Sequence, residues 1–362
     1  MEKKRILKYD IIRIVAILLV IMCHVSAYMV IEYDDPNGLI FQMGNIPNGI
    51  CRACIPLFVM LSGALLLNES KPFDTKKFYK KSLLWLVLLL VGWLLVYAVF
   101  YAFLLPLMKG QDVSWSIFGE YLLTLNPSNY PHLWYMFMCV GLYLMTPVFR
   151  LFVKKENVKY VVGIVIAAII YTFLMKTLNV FMVNSENHAT LFTTFIGKFR
   201  LEGLGGYIAY FLLGWLFDNF DIKKPYRIVI YIVGLLALVL QIVTIQLVYN
   251  DIPTIRNYLS ADLALPVILY GGAVFLFITN ICKDKTHNSK ILSLLSNCSF
   301  GVYMIHVFIL EIFTRVWLTP DKLNIHPMLY FLLIYVIIIV LSYIITYFIS
   351  KIKYVRKAIH IK

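Results

Sequence analysis

The sequence predicts an all-α, polytopic integral membrane protein with about ten transmembrane helices and both termini in the cytoplasm. Three observations predict it. The 362 residues are 61% hydrophobic and 14% charged, with a mean hydropathy of +0.81, whereas a soluble domain is nearer half apolar and a quarter charged. Apolar runs recur at about the 20 residues a helix needs to cross some 30 Å of hydrocarbon. The basic residues gather in alternate loops: roughly 25 of the 33 Lys and Arg fall on one proposed side and about 8 on the other, the bias that marks a cytoplasmic face. The formal net charge of +14 therefore belongs to membrane-flanking loops, and no nucleic-acid partner is expected.

The basic start MEKKRILK favours a cytoplasmic N-terminus and an outward first helix. The first span, Asp10 to Ile31, is too long for a secretory leader and lacks a small-x-small cleavage site, so it reads as a retained anchor. The acidic loop Glu32 to Pro47 suits the outside. The second span, Asn48 to Leu67, carries Arg52 in its outer half and meets the lysine-rich NESKPFDTKKFYKK. The third span is Leu83 to Leu105. The loop Pro106 to Pro131 follows, its aromatics suited to the outer interface. The fourth span opens at His132 and ends near Phe149, before Arg150, Lys154, Lys155 and Lys159. The fifth is Val161 to Leu178. Its outer loop, Asn179 to Gly205, holds His188, Lys198, Arg200 and Glu202. The sixth, Gly206 to Phe217, is short and rich in Gly and Tyr, as for a tilted or earlier-starting helix. The seventh is Val229 to Tyr249, the eighth Asp262 to Ile281, the ninth Asn297 to Trp317 and the tenth Met328 to Ile349. A basic tail, KIKYVRKAIHIK, closes the chain. Residues 1–362 read as one membrane domain with no appended soluble domain and no fixed-period repeat.

The first span carries the chemistry. Arg13 and His24 are eleven positions apart, which at about 100° per residue is roughly three turns, so both share one helical face. They lie about 16 Å apart along the axis at 1.5 Å per residue. Arginine in hydrocarbon costs at least ~2.5 kcal/mol, so such residues face a protein interior or a wet cavity. His24 reads either as polar packing against a neighbouring helix or as a general base or acyl-accepting nucleophile. Arg13 needs an anion: Asp10, three residues earlier, or a phosphate or anionic substrate arriving from the cytoplasm.

Other residues add to this face. Arg52, followed by Pro56, either snorkels to the outer surface or binds an acceptor. Trp134 and Tyr135 fit an interfacial aromatic belt, with Tyr135 also a substrate-binding candidate. His132 is placed to orient a sugar hydroxyl or His24. Tyr303 and His306, three apart on the ninth span, share a face at mid-membrane depth. Glu311 and Arg315 read as a mutual pair. The six cysteines, including the C-x-x-C of Cys51 and Cys54, read as small packing residues. No metal signature, P-loop or G-x-S-x-G is present. The Gly-rich LEGLGGY reads as a turn or a close helix approach.

Several segments together resemble a known family. Arg13, ten residues and then His24 resembles the R-x10-H motif of the membrane acyltransferase-3 family. ICRACIPLFVMLSGALLL resembles its second span, HLWYMFMCVGLYLMTPVFR its H-L-W segment ending in L-x-T-P, and GYIAYFLLGWLF and SFGVYMIHVFIL its F-L-L-G and Y-x-I-H segments. The order is kept from residue 8 to about 310. The overall look is closest to stand-alone O-acyltransferases of surface polysaccharides.

The resemblance implies a ten-helix plasma-membrane enzyme. It would move an acyl group, most often acetyl, from cytosolic acyl-CoA to an extracytoplasmic glycan or glycolipid hydroxyl, without a metal. His24 would be the essential histidine and Arg13 its partner in handling the donor. Arg52, His132, Tyr135, Tyr303 and His306 would serve substrate binding. Some members carry an extracytoplasmic esterase-like domain, so direct transfer or a separate extracytoplasmic transferase is expected here. The competing reading is a transporter of a small polar solute or amino acid along the same Arg/His path, a role assigned to relatives fused to racemase domains.

Overall fold

The computed structural model describes residues 4–32, 35, 37–124, 132–182, 206–248, 253–318, 323, 325–352 and 356. His188, Lys198, Arg200, Glu202 and most of LEGLGGY lie outside the described residues. Among those described, a helical segment stands at each of the ten expected positions. They are Leu7–Glu32, Leu39–Leu66 (broken once), Thr75–Met108, Trp134–Phe152, Val158–Met182, Tyr207–Asn219, Lys224–Val248, Leu265–Ile281, Lys290–Trp317 and Pro327–Lys351, numbered first to tenth below. Among the described residues, seven helices are long and apolar enough to cross a membrane. The protein is an all-α, multi-pass membrane protein.

The second segment departs from expectation. It begins at Leu39, not Asn48, so much of the expected outer loop Glu32 to Pro47 is helix, with Pro47 inside it. Asn45 of that expected loop, and Asn48 after it, make helix-to-helix contacts. Asn45 Nδ2 donates to Gln246 Oε1 (3.2 Å) and to the Ile242 carbonyl (3.3 Å) of the seventh segment. Asn48 Nδ2 donates to Ser26 Oγ of the first (3.3 Å). Where lipid offers no hydrogen bonds, such amides hold neighbouring helices together. The helix breaks at Arg52 and Ala53 and resumes over Cys54–Leu66.

Smaller differences have local causes. The ninth segment begins at Lys290 rather than Asn297, capped by Ser289, whose hydroxyl accepts from the Leu292 N–H (3.3 Å). The third carries two π-helical stretches, Tyr79–Leu83 and Phe100–Leu104, the second bringing Phe100 and Tyr101 beside Tyr97. The outer loop after it holds a short helix, Trp115–Thr124, whose Tyr121 stacks on Tyr101 at 5.5 Å.

The second and sixth segments pack closest of all. A Cβ on Gly63 would lie 1.8 Å from the Phe211 carbonyl oxygen, and one on Gly214 would lie 1.9 Å from that of Met60. Small residues let helix backbones meet in a membrane, which explains the S-G and F-L-L-G segments physically. Gly63→Ala or Gly214→Ala should force the pair apart and cost at least the ~1–3 kcal/mol of ordinary overpacking, since backbone cannot yield as a side chain does. The measurement is recovery of monodisperse protein by size exclusion; wild-type recovery would show that the crossing relaxes.

The cytoplasmic ends are latched. The two-residue strands Arg5–Ile6 and Thr286–His287 pair antiparallel. Lys8 meets Asp218 at 2.6 Å, and Tyr9 donates to the same carboxylate at 2.9 Å, tying the first segment to the sixth. Arg150 donates to the carbonyls of Leu66 (2.6 Å), Asn68 (3.0 Å) and Lys71 (3.0 Å), closing the C-terminal end of the second.

Candidate functional site

The interface of the first and ninth segments gathers most of the candidate residues. At its cytoplasmic end Asp10 is 2% exposed and draws in four groups. Arg5 clamps it through Nε (2.7 Å) and Nη2 (2.6 Å), Ser296 donates through Oγ (2.6 Å) and His287 through Nε2 (2.8 Å). Arg13 Nη1 lies 3.7 Å from Asp10 Oδ1 and donates to Ser296 Oγ at 2.9 Å. The Asp10 partner expected for Arg13 is thus present, though Ser296 holds it more closely. Of the five guanidinium N–H donors, those on Nε and Nη2 have no hydrogen-bond partner among the described residues. A half-buried Arg13 can therefore still receive an anion.

Further along the same two helices the aromatic side chains close into a cluster. The His24 ring lies 5.0 Å from that of His306 and 6.3 Å from that of His132. His132 and His306 are 5.7 Å apart. Tyr303 lies 5.7 Å from His132 and 6.0 Å from His306, and its hydroxyl donates to the His132 carbonyl. Tyr135 follows at 5.8 Å from Tyr303 and 6.1 Å from Phe58. Four sequence-chosen residues on three segments (His24, Tyr135, Tyr303 and His306) thus converge, together with His132.

His132 is 2% exposed inside this cluster, beside His24, one of the two partners expected for it. The turn before Trp134 folds it inward, where Tyr97 packs against it at 4.5 Å. Both of its ring nitrogens, and Nε2 of His306, are buried without a hydrogen-bond partner among the described residues. Native proteins pair nearly all buried polar atoms, so three orphaned nitrogens beside His24 mark a place for a polar guest. His24 itself is half-buried.

Arg52 stands at the break of the second segment. Its Nη2 donates to Asn48 Oδ1 at 2.6 Å, so it is half-buried and engaged inside the protein rather than snorkelling outward. Glu311 and Arg315 pair at 2.7 Å, as expected. Cys23, Cys51 and Cys54 are free thiols, and Cys51 Sγ donates to the Asn48 carbonyl at 3.0 Å. Among the described residues no group of three or more His, Cys, Asp or Glu is arranged to hold a metal ion.

Sequence reasoning missed His287, Ser296, Arg5 and Tyr97. Arg5 and His287 lie in two-residue strands with no periodic signal, and Ser296 fell one residue before the expected start of the ninth span although it shares a face with Tyr303 and His306. Tyr97 had a periodic signal: Trp93, Tyr97 and Tyr101 recur every fourth residue, a ring stripe on one face of the third segment. Behind Tyr97, Phe308 stacks at 4.1 Å and separates the cluster from an apolar groove of about 630 Å³ lined by Phe100, Leu104 and Ile312.

Neither curated proteins nor solved structures gave a match to this chain. A family model did: the one described as an acyltransferase domain matches residues 6–347, nearly the whole chain. The stretch matched runs from β-paired Ile6 through the Asp10 centre and the imidazole cluster into the tenth segment. The chain belongs to the acyltransferase-3 family of membrane acyltransferases, which transfer groups other than amino-acyl groups.

Proposed function

We propose that this protein is an O-acyltransferase of the plasma membrane. It takes an acyl group, acetyl by preference, from cytosolic acyl-CoA and delivers it to a hydroxyl of an extracytoplasmic glycan or glycolipid. One observation carries the reading: the first and ninth segments meet twice, through Arg13 and Ser296 and again through His24 and His306. Ser296 and His306 are ten positions apart and Arg13 and His24 eleven, so the two contacts lie about 15 Å apart along both helices. That span suits an extended donor arm with its anionic end outside the bundle and its thioester within.

In this reading cytoplasmic Lys and Arg attract the CoA phosphates. The unused donors of Arg13 guide the donor, and His24 meets the thioester as base or transient acyl carrier. Arg52, His132, Tyr135, Tyr303 and His306 receive the acceptor from outside. Transfer is direct or completed by a separate extracytoplasmic protein. Native membrane vesicles with and without this protein, given labelled acetyl-CoA, test the proposal. The expected result is label in alkali-labile ester on an extracytoplasmic acceptor, only where the protein is present. Gradient-driven solute uptake with no dependence on acyl-CoA would overturn it in favour of transport.

A further inference from the structure

We infer that His306 is the general base that accepts the proton of the attacking hydroxyl, leaving His24 to handle the acyl group. The inference rests on the acyltransferase reading above. His306 is fully buried on the ninth segment. Its Nδ1 lies 2.7 Å from the Tyr303 carbonyl oxygen and 3.2 Å from that of Val302. A carbonyl only accepts, so Nδ1 carries the proton and, in the neutral ring, Nε2 is a lone pair. That Nε2 is buried and has no partner among the described residues. It belongs to the ring lying 5.0 Å from His24 and 5.7 Å from His132.

The three histidines are therefore not equivalent. A base in a catalytic constellation is itself oriented by a further group. Only His306 has that group, the Tyr303 carbonyl. Neither nitrogen of His132 has a partner, and His24 makes no hydrogen bond among the described residues that would set its tautomer. His306 is the ring with one nitrogen committed as donor and the other held ready to accept.

The step balances with the substrates alone. The acceptor oxygen forms its bond to the acyl carbonyl carbon, directly from the thioester or from an acyl group resting on His24. The hydroxyl proton passes to His306 Nε2. On the direct route the carbon–sulfur bond breaks as the ester forms and the electron pair stays on sulfur; on the acyl-His24 route that bond has already broken in the transfer to His24, and the attack breaks the carbon–nitrogen bond, its electron pair returning to the His24 nitrogen. In both, the proton held on His306 goes to the group released, and CoA leaves as the thiol. Net, one hydroxyl and one thioester become one ester and one thiol.

A nucleophile that needs no base separates the two histidines. The full-length protein in native vesicles is given labelled acetyl-CoA, in one reaction with the membranes' own hydroxyl acceptor and in another with hydroxylamine, scoring ester and acetohydroxamate. For His306→Ala the ester should fall roughly 10²- to 10⁴-fold while hydroxamate stays within about threefold of wild type. His306→Gln, which keeps a donor for the Tyr303 carbonyl, should show the same split and guards against misfolding. Ester and hydroxamate falling in parallel in both variants, or ester unchanged in either, overturns the role of His306. His24→Ala should lose both products. Its retaining both would sink the reading of His24 instead, with the His306 split still legible.

Discussion

His24→Ala should lower acyl transfer from acetyl-CoA roughly 10²- to 10⁴-fold, the usual worth of one positioned proton-transfer or nucleophilic group, while leaving the protein folded. The two halves of that expectation come from the same geometry. His24 is half-buried and makes no hydrogen bond among the described residues, so its removal strands no partner. What is lost is edge and tilted ring contact with His132 at 6.3 Å and His306 at 5.0 Å. The space left behind is lined by orphaned imidazole nitrogens, and water can fill it. A core residue of the same size with satisfied contacts would cost stability first and activity second. Here the order reverses, because a histidine without partners earns its place by chemistry. Residues acting as one unit are non-additive, so His24→Ala with His306→Ala should lose ester formation no further than the worse single variant. Transfer rate and size-exclusion profile, read on the same membranes, check both halves. Wild-type transfer in a folded His24→Ala protein would remove this residue from the mechanism.

How much of this was legible beforehand depended on whether a residue's signal was local. The ten helical segments were, since each is a run of apolar side chains, most of them near the length that spans a bilayer. The common face of Arg13 and His24 was also legible, because helical periodicity fixes direction within one helix. Tyr303 and His306 followed from the same rule. The contacts between helices were not. HLWYMFM left His132 open between a sugar hydroxyl and His24, because the Trp and Tyr beside it are what an interfacial belt also shows. Asn45 looked like a loop residue because polarity alone cannot separate water from a polar neighbour across a helix interface. His287 carried no signal at all. It sits in a basic loop, and only the pairing of Arg5 with His287 in the short strands brings it to Asp10.

That loop contact carries the second large expectation: Asp10→Ala should destabilise the fold more than any other single change at the cytoplasmic end. Asp10 is the acceptor for Arg5, Ser296 and His287, and its charge faces Arg13 at 3.7 Å. Removing it leaves cationic groups gathered with no anion between them, and opening a buried pair this way is strongly unfavourable. The expected loss is about 3 kcal/mol, the low end of the range for such a change, because Arg5 keeps 32% exposure and water screens it. The exposed pair of Asp221 and Lys283, 2.5 Å apart, is the contrast. Lys283 holds the Asp221 carboxyl below its usual range, yet both side chains stand in solvent, and Lys283→Ala should leave the unfolding midpoint where it was. A sign test distinguishes charge from packing. If stranded cations cause the loss, removing Arg5 as well should restore part of it, since deleting both members of a pair is milder than deleting one. If lost contacts cause it, the double variant Arg5→Ala with Asp10→Ala should be worse than either single change. Thermal unfolding in detergent reads the difference. An unchanged midpoint for Asp10→Ala would mean that apolar packing alone holds the first helix against the ninth, with the polar centre free to serve the substrate.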